Sequence, residues 1–318
     1  MRHWIVVLGL SWACGGSEQQ IAEVAEVTDT GADDPSAYIY EVEEVVPILA
    51  LDEVEQGITD ALVSVFTLDP LFLHQAYDEM VALSDDDCPY YYDYYYEDYD
   101  RYYWYDACTT DEGDAFSGYA IHSDWSGYEA DGYTYDEYRY LSAQAKITHA
   151  DGRVIEAAGY SSYYERTYPD YATAAYHYIV GDFRFDGPSA EGTWLAKDWS
   201  AYLYFYGAYY PGYPGNYVTT YGSLSGLDGL VNAIELDDVV LYQEALGSPC
   251  GIEPSGTISV RDDDGAWYDV DFQGPAYWGA PAFPPECDGC GEVYYRGTYQ
   301  GEVCPEFSPL VDWQERPW

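Results

Sequence analysis

The chain has 318 residues, 58 of them Asp or Glu against 11 Lys or Arg, for a formal charge of -47. Nucleic acid and anionic membrane surfaces are held through clustered Lys and Arg, so this balance excludes both as charge-bound partners. Its 40 tyrosines against 9 phenylalanines point to a β-rich fold, because tyrosine suits pleated, half-buried surfaces.

Residues 1–13 read as an export signal: Arg2 and His3 precede the apolar run Trp4 to Leu10, and small Ala13 precedes Cys14. The run is too short to span a bilayer as a helix. The stretch Leu10-Ser11-Trp12-Ala13-Cys14-Gly15 resembles the lipobox of bacterial lipoproteins. That resemblance implies acylation of Cys14, which becomes the mature N-terminus, and an exported protein lipid-anchored to a membrane of the bacterial cell envelope, at the outer membrane or cell surface. Membrane contact is then expected only through the anchor. Residues 14–46, rich in Glu, Asp, Val and Ala with no aromatic before Tyr38, are expected to form an acidic flexible tether.

Residues 47–86 predict a pair of amphipathic helices. Leu51, Val54, Ile58, Ala61, Leu62 and Val65 recur at helical spacing behind Asp52 and Glu53, which suit a helix N-terminus. Asp69-Pro70 predicts the start of the second helix, followed by Leu73, Ala76, Tyr77, Met80 and Leu83 on one face. Both stripes are expected to pack on a sheet. Residues 87–113 hold ten tyrosines and Trp104 between Cys88 and Cys108, which reads as a loop or hairpin closed by a disulfide, with an aromatic contact surface at Tyr90 to Tyr105.

Residues 114–318 read as an antiparallel β body, a meander forming a curled sheet, barrel or sandwich, in a mainly β protein with a short N-terminal helical pair. Six Asp-Gly pairs mark candidate turns. A three-residue loop at Ala150-Asp151-Gly152 pairs Ile147 with Ile155, Ala145 with Ala157 and Lys146 with Glu156, which sorts apolar from charged by face. The same loop at Asp263-Asp264-Gly265 pairs Ile258 with Val270, Val260 with Tyr268 and Ser259 with Asp269. At Ala130-Asp131-Gly132 it pairs Tyr128 with Thr134. Gly118, Gly159, Gly181, Gly222 and Gly297 are expected at bends or bulges within strands. In Tyr202 to Tyr206, Leu203 and Phe205 face one way and Tyr202, Tyr204 and Tyr206 the other.

Six cysteines beyond Cys14 suggest three disulfides in an exported chain. Cys88 with Cys108 is the pairing expected first. Cys250, Cys287, Cys290 and Cys304 could pair as Cys250 with Cys287 and Cys290 with Cys304, form a four-thiolate zinc site, or contain a redox pair at Cys287 and Cys290. Catalytic motifs fail: Leu224 stands where a nucleophile elbow needs serine, and the histidines are well separated in sequence. No catalytic residue, resident metal or cofactor is assigned. The acidic runs Asp85 to Asp87 and Asp262 to Asp264 leave weak calcium binding open. The expected function is therefore non-catalytic, a binding or structural role at the envelope with polysaccharide recognition through Tyr202, Tyr204 and Tyr206. The alternatives are a scaffold that meets an envelope protein through Tyr90 to Tyr105, and a glycoside hydrolase, for which the chain has carboxylates in abundance. Cys14→Ser is expected to move the protein from the membrane to the soluble fraction on cell fractionation; an unchanged distribution would refute the anchor.

Overall fold

The computed structural model describes residues 46–67, 78, 82–89, 92–93, 102–103, 107–130, 133–168, 172–185, 195–209, 216–243, 252–274 and 288–307. Helix α1 spans Leu51–Thr67. Strands follow as β1 Tyr92–Asp93, β2 Tyr102–Tyr103, β3 Cys108–Thr109, β4 Ala115–Trp125, β5 Tyr128–Ala130, β6 Tyr133–Thr148, β7 Val154–Tyr168 and β8 Ala172–Phe185. The remainder are β9 Leu195–Tyr209, β10 Asn216–Leu227, β11 Ala233–Gln243, β12 Ile252–Arg261, β13 Trp267–Gln273, β14 Gly291–Tyr295 and β15 Thr298–Val303. Cys14, the tether and most of the second predicted helix lie outside the described residues. Of that helix, the backbone N–H of Ala82 donates to the carbonyl of Asp78 at 2.9 Å.

Strands β3 to β15 form one antiparallel sheet of 13 strands, ordered as an up-and-down meander, with β4 and β5 sharing the same edge of β6. The sheet is curled and not closed: β3 and β15 are its two ends. Its inner face is apolar and built largely of small or β-branched side chains, including Ala143, Ala145, Ile147, Ile155, Ala157 and Ile179. Small residues let a curled sheet fill its own concavity at interior density.

Helix α1 enters this concavity and packs against β10, β11, β12 and β15. Val54, Ile58, Ala61 and Leu62 are buried on its inner stripe, the spacing a single apolar helix face requires. Glu53 Oε2 accepts the backbone N–H of Ala50 at 2.8 Å, satisfying a donor that the first turn leaves orphaned. The Tyr268 hydroxyl accepts the N–H groups of Ile48 and Leu49 at 2.9 and 2.8 Å. These bonds pin the backbone just before α1 to β13.

Both principal hairpins have the expected register. Ile147 pairs with Ile155, Ala145 with Ala157 and Lys146 with Glu156, and the Lys146–Glu156 ion pair is 3.3 Å long. Ile258 pairs with Val270, Val260 with Tyr268 and Ser259 with Asp269. The third hairpin differs: Tyr128 pairs with Tyr135 and Ala130 with Tyr133, not Tyr128 with Thr134. Two residues therefore separate the paired ends, the commonest hairpin connection; β5 is too short and too mixed in polarity for face sorting to have chosen a register.

The glycines divide by cause. Gly118, Gly181 and Gly222 have positive φ within strands, and Gly222 lies at a register shift between β10 and β11. Gly159 faces Gly181 across β7 and β8, where a Cβ on either would lie 2.6 Å from the other's Cα. Gly297 is no mid-strand bend. With Arg296 it forms the two-residue turn between β14 and β15, both at positive φ, the backbone twist a tight hairpin favours.

Cys88 is bonded to Cys108, closing the segment in which β1 and β2 pair antiparallel. Cys290 is bonded to Cys304. That bond removes Cys290 from both the redox pair with Cys287 and the four-thiolate zinc set. Cys250 and Cys287 lie outside the described residues.

A Cβ at Gly222 would overlap the Tyr202 carbonyl, and φ there is +114°. Gly222→Ala is expected to cost roughly 2–4 kcal/mol of stability, read by denaturant unfolding; a loss within experimental error would show that β9 and β10 can separate at this point.

Candidate functional site

Alternation along each strand places tyrosines on the outer face of β6 to β10, and the antiparallel registers align them into rows. The first row runs Tyr138, Tyr164, Tyr176, Tyr206 across four consecutive strands. Its ring centroids are 6.4, 4.4 and 4.6 Å apart. The second brings Tyr178 opposite Tyr204 and Tyr204 opposite Tyr221. Tyr204 and Tyr221 stack at 4.8 Å. Arg166 lies over the Tyr164 ring at 4.5 Å and near Tyr176 at 5.6 Å, a cation–π contact with the two middle rings of the first row.

Tyr202, Tyr204 and Tyr206 do share one face, but they are not equivalent. Tyr204 and Tyr206 are half-buried within the rows, where neighbouring rings cover theirs. Tyr202 is 48% exposed, and Tyr160 and Tyr221 are each 37% exposed. Among the described tyrosines of β6 to β10, these three rim residues are the rings most open to a ligand. Sequence alternation identifies Tyr202; Tyr160 and Tyr221 join it only through cross-strand register.

Hydroxyl contacts tie the patch together. Tyr178 is hydrogen-bonded with Tyr160 and Tyr202, and these contacts, with burial, push its phenol well above the ordinary tyrosine range. Burial, followed by a hydrogen bond with Tyr168, pushes Tyr176 up as well. Tyr204 is raised chiefly by burial. The centre of the patch is therefore a neutral, hydroxyl-linked aromatic layer over a broad pH range.

Two acidic regions border it. Along β7 to β10 the tyrosines give way to a groove of about 350 Å³ lined by Glu156, Asp182, Asp198 and Ser200 among others. There Asp198 faces Arg184 at 3.6 Å, and Asp182 Oδ1 accepts the Ser200 hydroxyl at 2.6 Å. Across the sheet, the Tyr202 row continues through Ser223 to Glu235, Ser259, Asp269 and Tyr294. Beside it, Asp237, Thr257, Asp271, Glu292 and Glu302 lie on successive strands β11 to β15. Asp271, Glu292 and Glu302 thus face one another directly, which costs roughly 0.2–1 kcal/mol per like-charged pair. Among the described residues no three His, Cys, Asp or Glu side chains converge as a metal ion would require.

On the inner face, Ser161 Oγ lies 3.4 Å from His177 Nε2, a juxtaposition invisible to sequence spacing. Ser161 is 0% exposed, so its hydroxyl is closed to substrate, while His177 is half-buried. His149 and Asp114 are likewise buried, 3.8 Å apart, while Asp114 Oδ1 accepts the Ala150 N–H at 3.0 Å. That contact anchors the β6–β7 turn.

No family model, curated protein or solved structure matches this chain.

The raised phenols set an alkaline limit. Above pH about 10 the unfolded chain releases tyrosine protons that the folded chain retains, so stability must fall as pH rises past that value. Spectrophotometric titration is expected to show exposed tyrosines ionising first and the remainder only together with loss of β structure. Smooth ionisation of every tyrosine near the ordinary value, with the fold intact, would contradict the hydroxyl network.

Proposed function

We propose that the protein is a non-catalytic carbohydrate-binding protein of the cell envelope, held by its N-terminal anchor and tether, and that the tyrosine face of β6 to β10 takes a polysaccharide. The observation that carries this reading is the exposed rim of Tyr160, Tyr202 and Tyr221 around a layer whose rings already cover one another. A rigid aromatic rim loses little conformational entropy on binding, and sugar rings present apolar C–H faces that pack on aromatic rings. The neighbouring phenols and carboxylates supply partners for sugar hydroxyls. The breadth of the patch favours an extended ligand over a small molecule, for which an enclosed pocket is the usual solution.

The Tyr90 to Tyr105 segment, of which residues 92–93 and 102–103 are among the described residues, lies within the loop closed by the Cys88–Cys108 disulfide and is the contact surface for the scaffold alternative. The tyrosine face is favoured because Tyr160, Tyr202 and Tyr221 leave ring surface exposed beside stacked neighbours.

Tyr202→Ala is expected to weaken retention on a polysaccharide column by roughly 3- to 10-fold. The triple change of Tyr202, Tyr204 and Tyr206 to Ala is expected to abolish it, with circular dichroism confirming the β fold. Full retention by the folded triple variant would refute the assignment, and product formation from a labelled glycan would replace binding by hydrolysis.

A further inference from the structure

We propose that the polysaccharide bound by the tyrosine face carries free, protonated amino groups, which the acidic band on β11 to β15 receives while the tyrosine rim packs on the sugar rings. The inference rests on the carbohydrate reading above and specifies its ligand class.

Both regions belong to one continuous outer surface. Tyr202 and Glu235 occupy the same cross-strand row, separated only by Ser223, about 10 Å apart at ordinary strand spacing. Tyr221 stands beside the β11 irregularity at Asp237 and Asp238, where the register skips from Gly222–Leu236 to Thr220–Val239. Asp238 takes a φ of 47° there. Gly256 makes the irregularity possible, because a Cβ at that position would meet the carbonyl oxygens of Asp237 and Asp238 at 2.6 and 2.5 Å. The fold thus places two exposed carboxylates directly at the aromatic rim.

Charge then selects the occupant. In the groove on β7 to β10, Arg184 faces Asp198, and Glu156 is paired with Lys146 of β6. On the acidic band, Asp237, Asp238, Asp271, Glu292 and Glu302 form no ion pair among the described residues. Asp271, Glu292 and Glu302 sit on neighbouring strands, about 5 Å apart, close to the length of one pyranose residue; Thr257 separates Asp271 from Asp237, which lies two strands away, about 10 Å. A single metal ion needs converging ligands, and no such group occurs among the described residues; a polymer with one ammonium per sugar distributes its charge as the carboxylates distribute theirs. A second copy of this chain, at a formal charge of -47, is repelled, as is its own acidic N-terminal segment. An ammonium group also gains from the electron-rich tyrosine faces, so aromatic rim and acidic band favour the same ligand.

The test compares soluble oligomers of β-1,4-linked glucosamine with N-acetylated oligomers of equal length, by titration calorimetry at moderate salt and at a pH where the amine is protonated. The full chain is used with three variants: Asp237→Asn/Asp271→Asn/Glu292→Gln in the band, Asp86→Asn/Asp87→Asn/Glu112→Gln as a control removing equal charge elsewhere, and Tyr202→Ala. The amine form is expected to bind roughly tenfold or more tightly than the acetylated form. The band variant should lose that preference, the control should keep it, and Tyr202→Ala should weaken both ligands. Equal affinity for the two oligomers, or an unaltered preference in the band variant, overturns the amine assignment and leaves the carbohydrate reading intact. Polylysine binding as tightly as the amine oligomer, with Tyr202→Ala without effect, overturns it in favour of a basic protein partner or nonspecific charge attraction. Failure of every glycan in a neutral, acidic and amino panel overturns both readings.

Discussion

The whole molecule depends on the two-residue alternation of an antiparallel strand, applied across one uninterrupted meander. With a curled sheet and α1 supplying the described core, every long strand must hold one face apolar and surrender the other to the surface. The inner face meets this with alanine, isoleucine, valine and leucine, tight enough that Gly159 and Gly181 meet with no room for side chains. Everything that could recognise a partner is thereby pushed outward, onto residues that alternate with the core.

Register converts that alternation into a surface with two dimensions. Because neighbouring strands pair without slippage over most of β6 to β10, outward tyrosines fall side by side and their rings and hydroxyls interact. A slip of one residue would send an entire strand's tyrosines inward and its alanines to solvent. The β6–β7 turn helps to prevent this and rests on Gly152 at positive φ, as the β12–β13 and β14–β15 turns rest on Gly265 and Gly297. Turn chemistry at the ends of the strands thus governs ring contacts in their middle. The central rings are held by neighbours on both sides, while Tyr160, Tyr202 and Tyr221 at the rim retain exposed surface.

Acidity has different consequences in different places. Some carboxylates have structural duties: Asp85 accepts backbone N–H groups from Asp111, Asp87 and Cys88, which hold it below the usual carboxylate range. Glu55 Oε2 accepts the N–H of Cys304 and so ties α1 to the strand end beyond β15. The carboxylates on β11 to β15 have no comparable duty within the described residues, apart from bonds such as Thr257 Oγ1 to Asp271 and the Tyr294 hydroxyl to Glu292. Their mutual repulsion is a cost that a cationic partner would relieve, which gives the outer face chemical direction as well as shape.

The amino-acid sequence by itself determined the mainly β class, the amphipathic start of α1, the two principal hairpin registers, the Cys88–Cys108 bond and the outward side of Tyr202 to Tyr206. Each of these is encoded locally, by helical or two-residue periodicity, by a glycine beside a turn, or by two cysteines bracketing one segment. Only tertiary structure decided that Tyr160, Tyr176, Tyr178 and Tyr221 gather around Tyr202, that Cys290 bonds Cys304, and that the acidic band borders the aromatic rim. It also corrected Tyr128, whose short strand carried too little contrast between faces to select a partner, and Gly297, whose conformational freedom serves a turn as readily as a bend. Lateral neighbours in a sheet are separated in sequence by whole strands and loops, so their identity depends on the sum of all intervening registers, a quantity no local pattern contains.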